Sequence, residues 1–239
     1  MLLLAIESSA LVASIAIMSD NTLLGEYTTN FKKTHSQTLL PMMNELVQMT
    51  GISMEDLDAI VIAGGPGSFT GLRIGAATAK GLGLALNKPL VNVPTVDALA
   101  FNLYGTEQVI CPIMDARRGQ VYTGLYTFEG DDFKVITPQK AVGIEEIVEE
   151  INALGRPAIF LGDGVPVHET FIREHSTVPC QFAPAHLNAQ RAGALAALGK
   201  RYFEEGRVET ADEHIPEYLR LSQAERELQE KLKREANAE

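Results

Sequence analysis

The spacing of apolar and polar positions predicts that the chain opens on short strands. Residues 2–6 are uninterrupted apolar, and strand-like stretches over 12–18 and 23–29 follow Glu7-Ser8-Ser9 and the turn-forming Ser19-Asp20-Asn21-Thr22. Together they predict a meander carrying a carboxylate in its first turn. The period then changes. Over residues 34–49, Leu39, Leu40, Met42, Met43, Leu46, Val47 and Met49 recur at helical spacing and cover more than one face, and Pro41 predicts a local irregularity. Residues 57–63 read as a buried strand and 64–75 as a glycine-rich stretch. Residues 76–86 read as a helix of small and aliphatic residues, 88–94 as a strand bordered by prolines, and 95–103 as a short helix.

Beyond Tyr104-Gly105-Thr106-Glu107 the pattern starts again. Strands are predicted over 109–114, 120–128 and 133–137, with Asp115 ending the first as Glu7 ends the first strand of the chain. An acidic helix over 143–154, a strand over 158–161 closing at Gly162-Asp163-Gly164, and an alanine-rich helix over 188–203 complete the second half. This echo predicts an α/β fold of two lobes, each a mixed sheet with flanking helices: residues 1–105, residues 106–221, and a charged helix or tail over 222–239.

Charge narrows the function. A net charge of −11 and an isoelectric point near 5.0 exclude a broad electrostatic face for nucleic acid, so any nucleic acid is expected to be engaged through a partner. The only cysteines, Cys111 and Cys180, and the five histidines lack metal-ligand spacing, and two cysteines imply no disulfide framework, which suits a reducing cytoplasm. The apolar N-terminus meets Glu7 after six residues with no basic region before it, too early for a signal peptide or membrane span.

The candidate chemistry centres on residues 64–75. Strand, glycine loop and helix follow one another, and a helix opening after glycines aims unpaired N–H groups at whatever lies in front. Gly65, Gly67, Ser68, Thr70 and Gly71 are therefore a candidate phosphate or ligand loop. The loop lacks the Lys-Ser/Thr ending of a P-loop and the spacing of a dinucleotide fingerprint, so a tight structural turn is the alternative. Glu7 reads either as a metal or water ligand or as a turn cap, and His35 either as a helix-start cap or as a functional contact. On the helix after the loop, Leu72, Ala76, Ala79, Gly83 and Leu86 share a face of small and aliphatic residues. That face is covered either by the rest of the chain or by a second subunit. If a subunit covers it, a large charged residue at Ala79 or Gly83 breaks dimerisation and leaves the monomer folded.

Taken in order, five motifs make the chain closely similar to the bacterial TsaB (YeaZ) family of the ASKHA superfamily, which also holds actin, Hsp70 and sugar kinases. They are Leu4-Ala5-Ile6-Glu7-Ser8-Ser9, His35-Ser36-Gln37 with Leu40-Pro41-Met42, residues 64–75, Asp115-Ala116-Arg117-Arg118-Gly119-Gln120-Val121-Tyr122, and Pro216-Glu217-Tyr218-Leu219-Arg220. The resemblance implies two tandem actin-like, RNase H-like domains with Glu7, His35, Asp115, Arg117 and Arg118 at the cleft between them. It also implies a non-catalytic subunit that forms homodimers, or heterodimers with a TsaD-like catalytic subunit. With a TsaE-like ATPase, that subunit supports N6-threonylcarbamoylation of adenosine 37 in tRNA. The partner face falls on the two helices of the first domain, through Leu39, Met42, Met43, Leu46, Leu72, Ala76, Ala79, Lys80 and Gly83. No cofactor or metal is intrinsic to such a chain; ATP and metal belong to the partner subunits, and tRNA is met through the complex. The catalytic relative's metal-binding His-x-x-x-His pair matches Thr95 and Leu99 here, neither of which can do that work. Arg117 and Arg118 stand where a kinase of this superfamily carries phosphate-loop glycines. The competing reading is a small-molecule kinase holding Mg²⁺ on Glu7 and Asp115.

Overall fold

Two five-stranded sheets of the same strand order organise the molecule, which a computed structural model describes over residues 1–31 and 34–220. In the first, β1 (Leu2–Glu7), β2 (Ala13–Ser19) and β3 (Thr22–Thr29) form an antiparallel meander. β4 (Ala59–Ala63) and β5 (Leu90–Val93) then add in parallel on the other side of β1, giving the order β3-β2-β1-β4-β5. The second sheet repeats this with β6 (Val109–Asp115), β7 (Gln120–Glu129), β8 (Asp132–Gly143), β9 (Ala158–Leu161) and β10 (Cys180–Phe182), in the order β8-β7-β6-β9-β10. The strands that begin each lobe are apolar at nearly every position because both of their faces are covered.

Strand alternation sorts the core into three layers. Leu4 and Ile6 of β1 face α1 (His35–Thr50) and α2 (Phe69–Leu86), where they meet Leu39, Met42, Met43, Leu46 and Ala79. Leu3 and Ala5 face the opposite way, toward α3 (Thr95–Phe101) and α6 (Ala192–Glu204). Ile110, Tyr126 and Phe128 of the second sheet enter that same central layer. Val109, Cys111 and Ile113 face outward under α4 (Ile144–Leu154) and α5 (Val165–His175). Buried Asp97 of α3 pins the central layer, accepting hydrogen bonds from Tyr126 at 2.7 Å and Tyr202 at 3.2 Å; burial pushes its carboxyl above the ordinary range.

Several boundaries differ from the sequence expectation, each for a local reason. α2 begins at Phe69, seven residues before 76, because the Ser68 side chain accepts from the Gly71 N–H and caps a helix that already contains Gly71 and Gly75. α1 runs unbroken through exposed Pro41. β8 continues past Pro138 to Gly143, since Pro138 lies on an edge strand where the register with β7 shifts. α5 and β10 had no clear periodic signal. α6 follows residue 105 in sequence yet packs on β1 and β2 of the first sheet. From residue 206 the chain then crosses back over α2. It bridges Glu209 to Leu90, receives the Lys80 ammonium on the His214 carbonyl at 3.0 Å and donates from the Glu217 N–H to the Gly64 carbonyl at 2.7 Å. The tail expected over 222–239, and Leu221 before it, lie outside the described residues.

Candidate functional site

The parallel strands β1 and β4 end at Glu7 and Ala63, and the two loops that leave them meet face to face. Glu7, Ser8 and Ser9 are 1%, 1% and 0% exposed. One carboxylate oxygen of Glu7 accepts the Ser9 N–H at 2.7 Å and the Ser9 hydroxyl at 2.5 Å. Burial pushes the Glu7 carboxyl up to about 7, with the Ser9 and Ser8 donors pulling in the opposite direction.

The glycine loop lies on this turn. The Ser68 N–H donates to the Ser9 carbonyl at 2.7 Å, and the Ser8 hydroxyl donates to the Gly71 carbonyl at 2.9 Å. A Cβ at Gly67 would land on the Ser9 carbonyl, and one at Gly71 on the Ser8 carbonyl. The close approach that glycine permits is thus made to the chain's own backbone. Gly65 is held the same way, with the Glu217 carbonyl where its Cβ would stand. Its N–H donates to Thr95 Oγ1 at 3.2 Å, so Thr95 anchors the loop, while Leu99 is part of the central core.

The remaining expected residues separate into two groups. His35 donates from Nε2 to the Ala10 carbonyl at 2.8 Å, since a carbonyl can only accept. It is therefore a strut between the first turn and α1. Thr70 is exposed on the first turn of α2. Asp115, Arg117 and Arg118 stand on the equivalent turn of the second lobe, and there all three are exposed. Asp115 accepts the Arg117 N–H at 2.7 Å and receives its own anchor from Asp163, whose carboxylate accepts the Asp115 N–H at 3.1 Å. Arg117 and Arg118 have φ of 64° and 56°, left-handed values uncommon for residues with a Cβ.

The residues expected at the partner face pack within this chain. Leu39, Met42, Met43, Leu46, Leu72, Ala76, Ala79 and Gly83 are all buried within this chain, and Lys80 is half-buried with its ammonium on carbonyls of residues 212 and 214. The sheet and the C-terminal segment pack against this stripe. Gly83, for example, packs against Lys88 and Ala211, so a charge there or at Ala79 disrupts the monomer itself. The outward residues of the two helices include Leu40, Asn44, Glu45, Gln48 and Met49 on α1 and Arg73, Ala77, Gly81, Leu84 and Ala85 on α2.

Sequence reasoning missed the strap over the start of α2. The Tyr218 ring stacks on Phe69 at 4.4 Å, and Arg73 lies against both rings and donates to the Tyr218 hydroxyl at 3.3 Å. The motif at residues 216–220 marked this segment without giving its place. Among the described residues no three His, Cys, Asp or Glu side chains are grouped to hold a metal.

Comparison with known proteins fixes the family. A tRNA threonylcarbamoyladenosine biosynthesis protein TsaB from Bacillus subtilis is 37% identical over 94% of this chain and 96% of its own length. This chain belongs to the TsaB (YeaZ) family. The TsaB protein of Escherichia coli is 28% identical over 95% of the chain and 98% of its own length. The solved YeaZ structure from Pseudomonas aeruginosa superposes with a TM-score of 0.79 at 26% identity, covering 91% of this chain and 99% of that one. The profile of the related TsaD family, tRNA N6-adenosine threonylcarbamoyltransferase, matches residues 22–228. The fold is accordingly the two-lobed ASKHA arrangement that TsaB sequences share with TsaD.

Proposed function

We propose that this TsaB-family chain is a scaffold subunit of the tRNA threonylcarbamoyladenosine machinery, with no chemistry of its own. It pairs with a TsaD-like catalytic subunit and, with a TsaE-like ATPase, supports N6-threonylcarbamoylation of adenosine 37; ATP and metal reside on those partners. The observation that carries this reading is the filled glycine loop: the space a phosphate would take beside Gly67 and Gly71 is occupied by the carbonyls of Ser9 and Ser8. Glu7, the carboxylate a Mg²⁺-dependent kinase would use, is hydrogen-bonded to Ser9 and sealed from solvent. Binding of the chain's own copy, or of TsaD, takes the outward residues of α1 and α2, where Leu40 is 56%, Met49 80% and Leu84 60% exposed. The complex works in the cytoplasm; among the described residues no helix is long and apolar enough to cross a membrane.

Titration of the purified chain with ATP and Mg²⁺ is expected to show no saturable binding, and tRNA modification by TsaD and TsaE is expected to require the chain. Turnover of ATP by the chain alone overturns the scaffold reading in favour of a kinase. For the pairing face, Leu40→Glu with Leu84→Glu is expected to leave a folded monomer that no longer assembles with TsaD. A complex of unchanged mass by light scattering overturns that assignment.

A further inference from the structure

The second lobe carries a pair of cations that the scaffold reading does not use. Seven of the nine described arginines are satisfied within the chain. Arg73 meets Tyr218, Arg156 the Glu107 carbonyl, Arg173 Glu169, Arg191 Glu26, Arg201 the Asp131 carbonyl, Arg207 the Tyr202 ring, and Arg220 the Ala116 carbonyl. The guanidiniums of Arg117 and Arg118 alone have no partner among the described residues, and both residues are exposed. They are neighbours on one turn, and that turn is rigid. Ala116 donates to the Gln120 carbonyl at 3.0 Å, Gln120 to the Arg117 carbonyl at 3.2 Å, and Asp115 turns its carboxylate onto the Arg117 N–H and not onto a guanidinium. Arg220 seats the turn from the strap. Two consecutive left-handed residues with side chains form a costly backbone that glycine would relieve, and such backbone persists where the surroundings over-determine it.

The place of the turn matters as well. Glu217 holds Gly64 of the first lobe and Arg220, three residues on, holds Ala116 of the second. The arginine turn is thus tied through the strap to the loop that follows β4, with at most roughly 10 Å of chain between the two attachment residues. A complex that modifies tRNA must draw in a polyanion, and the net charge of −11 on this chain opposes that approach unless cations are placed locally. Guanidinium forks match phosphate geometry, and fixing two of them on a rigid turn lowers the ordering cost of each contact.

We propose that Arg117 and Arg118 are a direct contact for the RNA phosphodiester backbone, so that this chain itself touches tRNA and does not only hold the subunit that does. This rests on the tRNA-modification reading above. The test uses the assembled complex with TsaD and an unmodified transcript of a tRNA bearing adenosine 37. It compares the wild type with Arg117→Asn/Arg118→Asn, since asparagine tolerates the left-handed backbone. The variant complex is expected to bind roughly tenfold more weakly, with the slope of log affinity against log salt reduced by about 1.4 to 1.8, the share of two phosphates. Equal affinity and slope in an assembled variant complex overturn the contact. Failure of the folded variant to assemble overturns it too, placing the arginines on a protein partner. A wild-type complex that does not bind the transcript removes the tRNA reading and the contact with it, a result distinct from loss in the variant alone.

Discussion

The two lobes share a strand order and place a turn at the same point, after the first strand, yet they treat that turn in opposite ways. In the first lobe Glu7-Ser8-Ser9 is sealed beneath the glycine loop and spends its polar groups on the chain itself. In the second lobe the turn at residues 115–119 is latched to the Gly162-Asp163-Gly164 loop by the Asp115 N–H on the Asp163 carboxylate, but leaves two guanidiniums in solvent. The latch between the two loops is therefore common to both halves. What differs is which atoms face it: small hydroxyls and glycines allow complete closure, whereas arginines hold the second turn open. A duplicated fold thus carries a structural joint at one copy of a position and an open surface at the other.

The largest test of that contrast is steric. Gly71→Ala places a Cβ on the Ser8 carbonyl, a backbone atom that cannot move aside cheaply, and is expected to cost roughly 4 kcal/mol. Gly81→Ala, in the same helix but exposed with nothing within 4 Å of the added carbon, is expected to stabilise by about 0.5 to 1 kcal/mol. Urea denaturation of both variants checks the pair. If Gly71→Ala is as harmless as Gly81→Ala, the first-lobe joint is not closed as described.

A slightly smaller effect comes from the sealed carboxyl. The folded Glu7 value of about 7 lies above its ordinary 4.5, so the folded state holds the proton longer. Its contribution is greatest below about 4.5 and is lost as pH rises through the window to about 7, by roughly 3 kcal/mol in all. Glu7→Gln keeps an acceptor for both Ser9 donors and removes the charge. It is expected to match the wild type near pH 4 and to exceed it by roughly 3 kcal/mol at pH 8. Stability curves at the two pH values that run parallel for both proteins contradict a buried, neutral-favouring Glu7.

How much of this was legible follows the same contrast. The duplication could be read because β1 and β6 are both unbroken apolar runs ending in a carboxylate, a pattern contained in a few neighbouring residues. The filling of the glycine loop could not, since the atoms beside Gly65 and Gly67 come from Glu217 and Ser9, distant in sequence from the loop. The buried stripe on α1 and α2 shows the ambiguity in its plainest form. Small residues at Ala76, Ala79 and Gly83 report close packing, but periodicity does not say whether the packing partner is another chain or the strap at residues 206–220. The outward residues Leu40 and Leu84 sit among them in sequence and differ only in where the helix face turns.

The smallest expected effect concerns the open turn. Arg118 holds φ of 56° with a Cβ and no partner for its side chain among the described residues, so its backbone strain is not offset by any contact it makes. Asparagine tolerates that region because its short side chain can bond locally, and unlike glycine it adds little freedom to the unfolded chain. Arg118→Asn is therefore expected to raise stability by about 0.5 kcal/mol, measured as a higher urea midpoint at unchanged slope. The sign is the informative part. A gain means that the fold would be better off without the arginine and that its place on the turn serves something outside the chain. A loss of 1 kcal/mol or more means that the guanidinium stabilises the lobe, and the second turn is then a structural joint like the first.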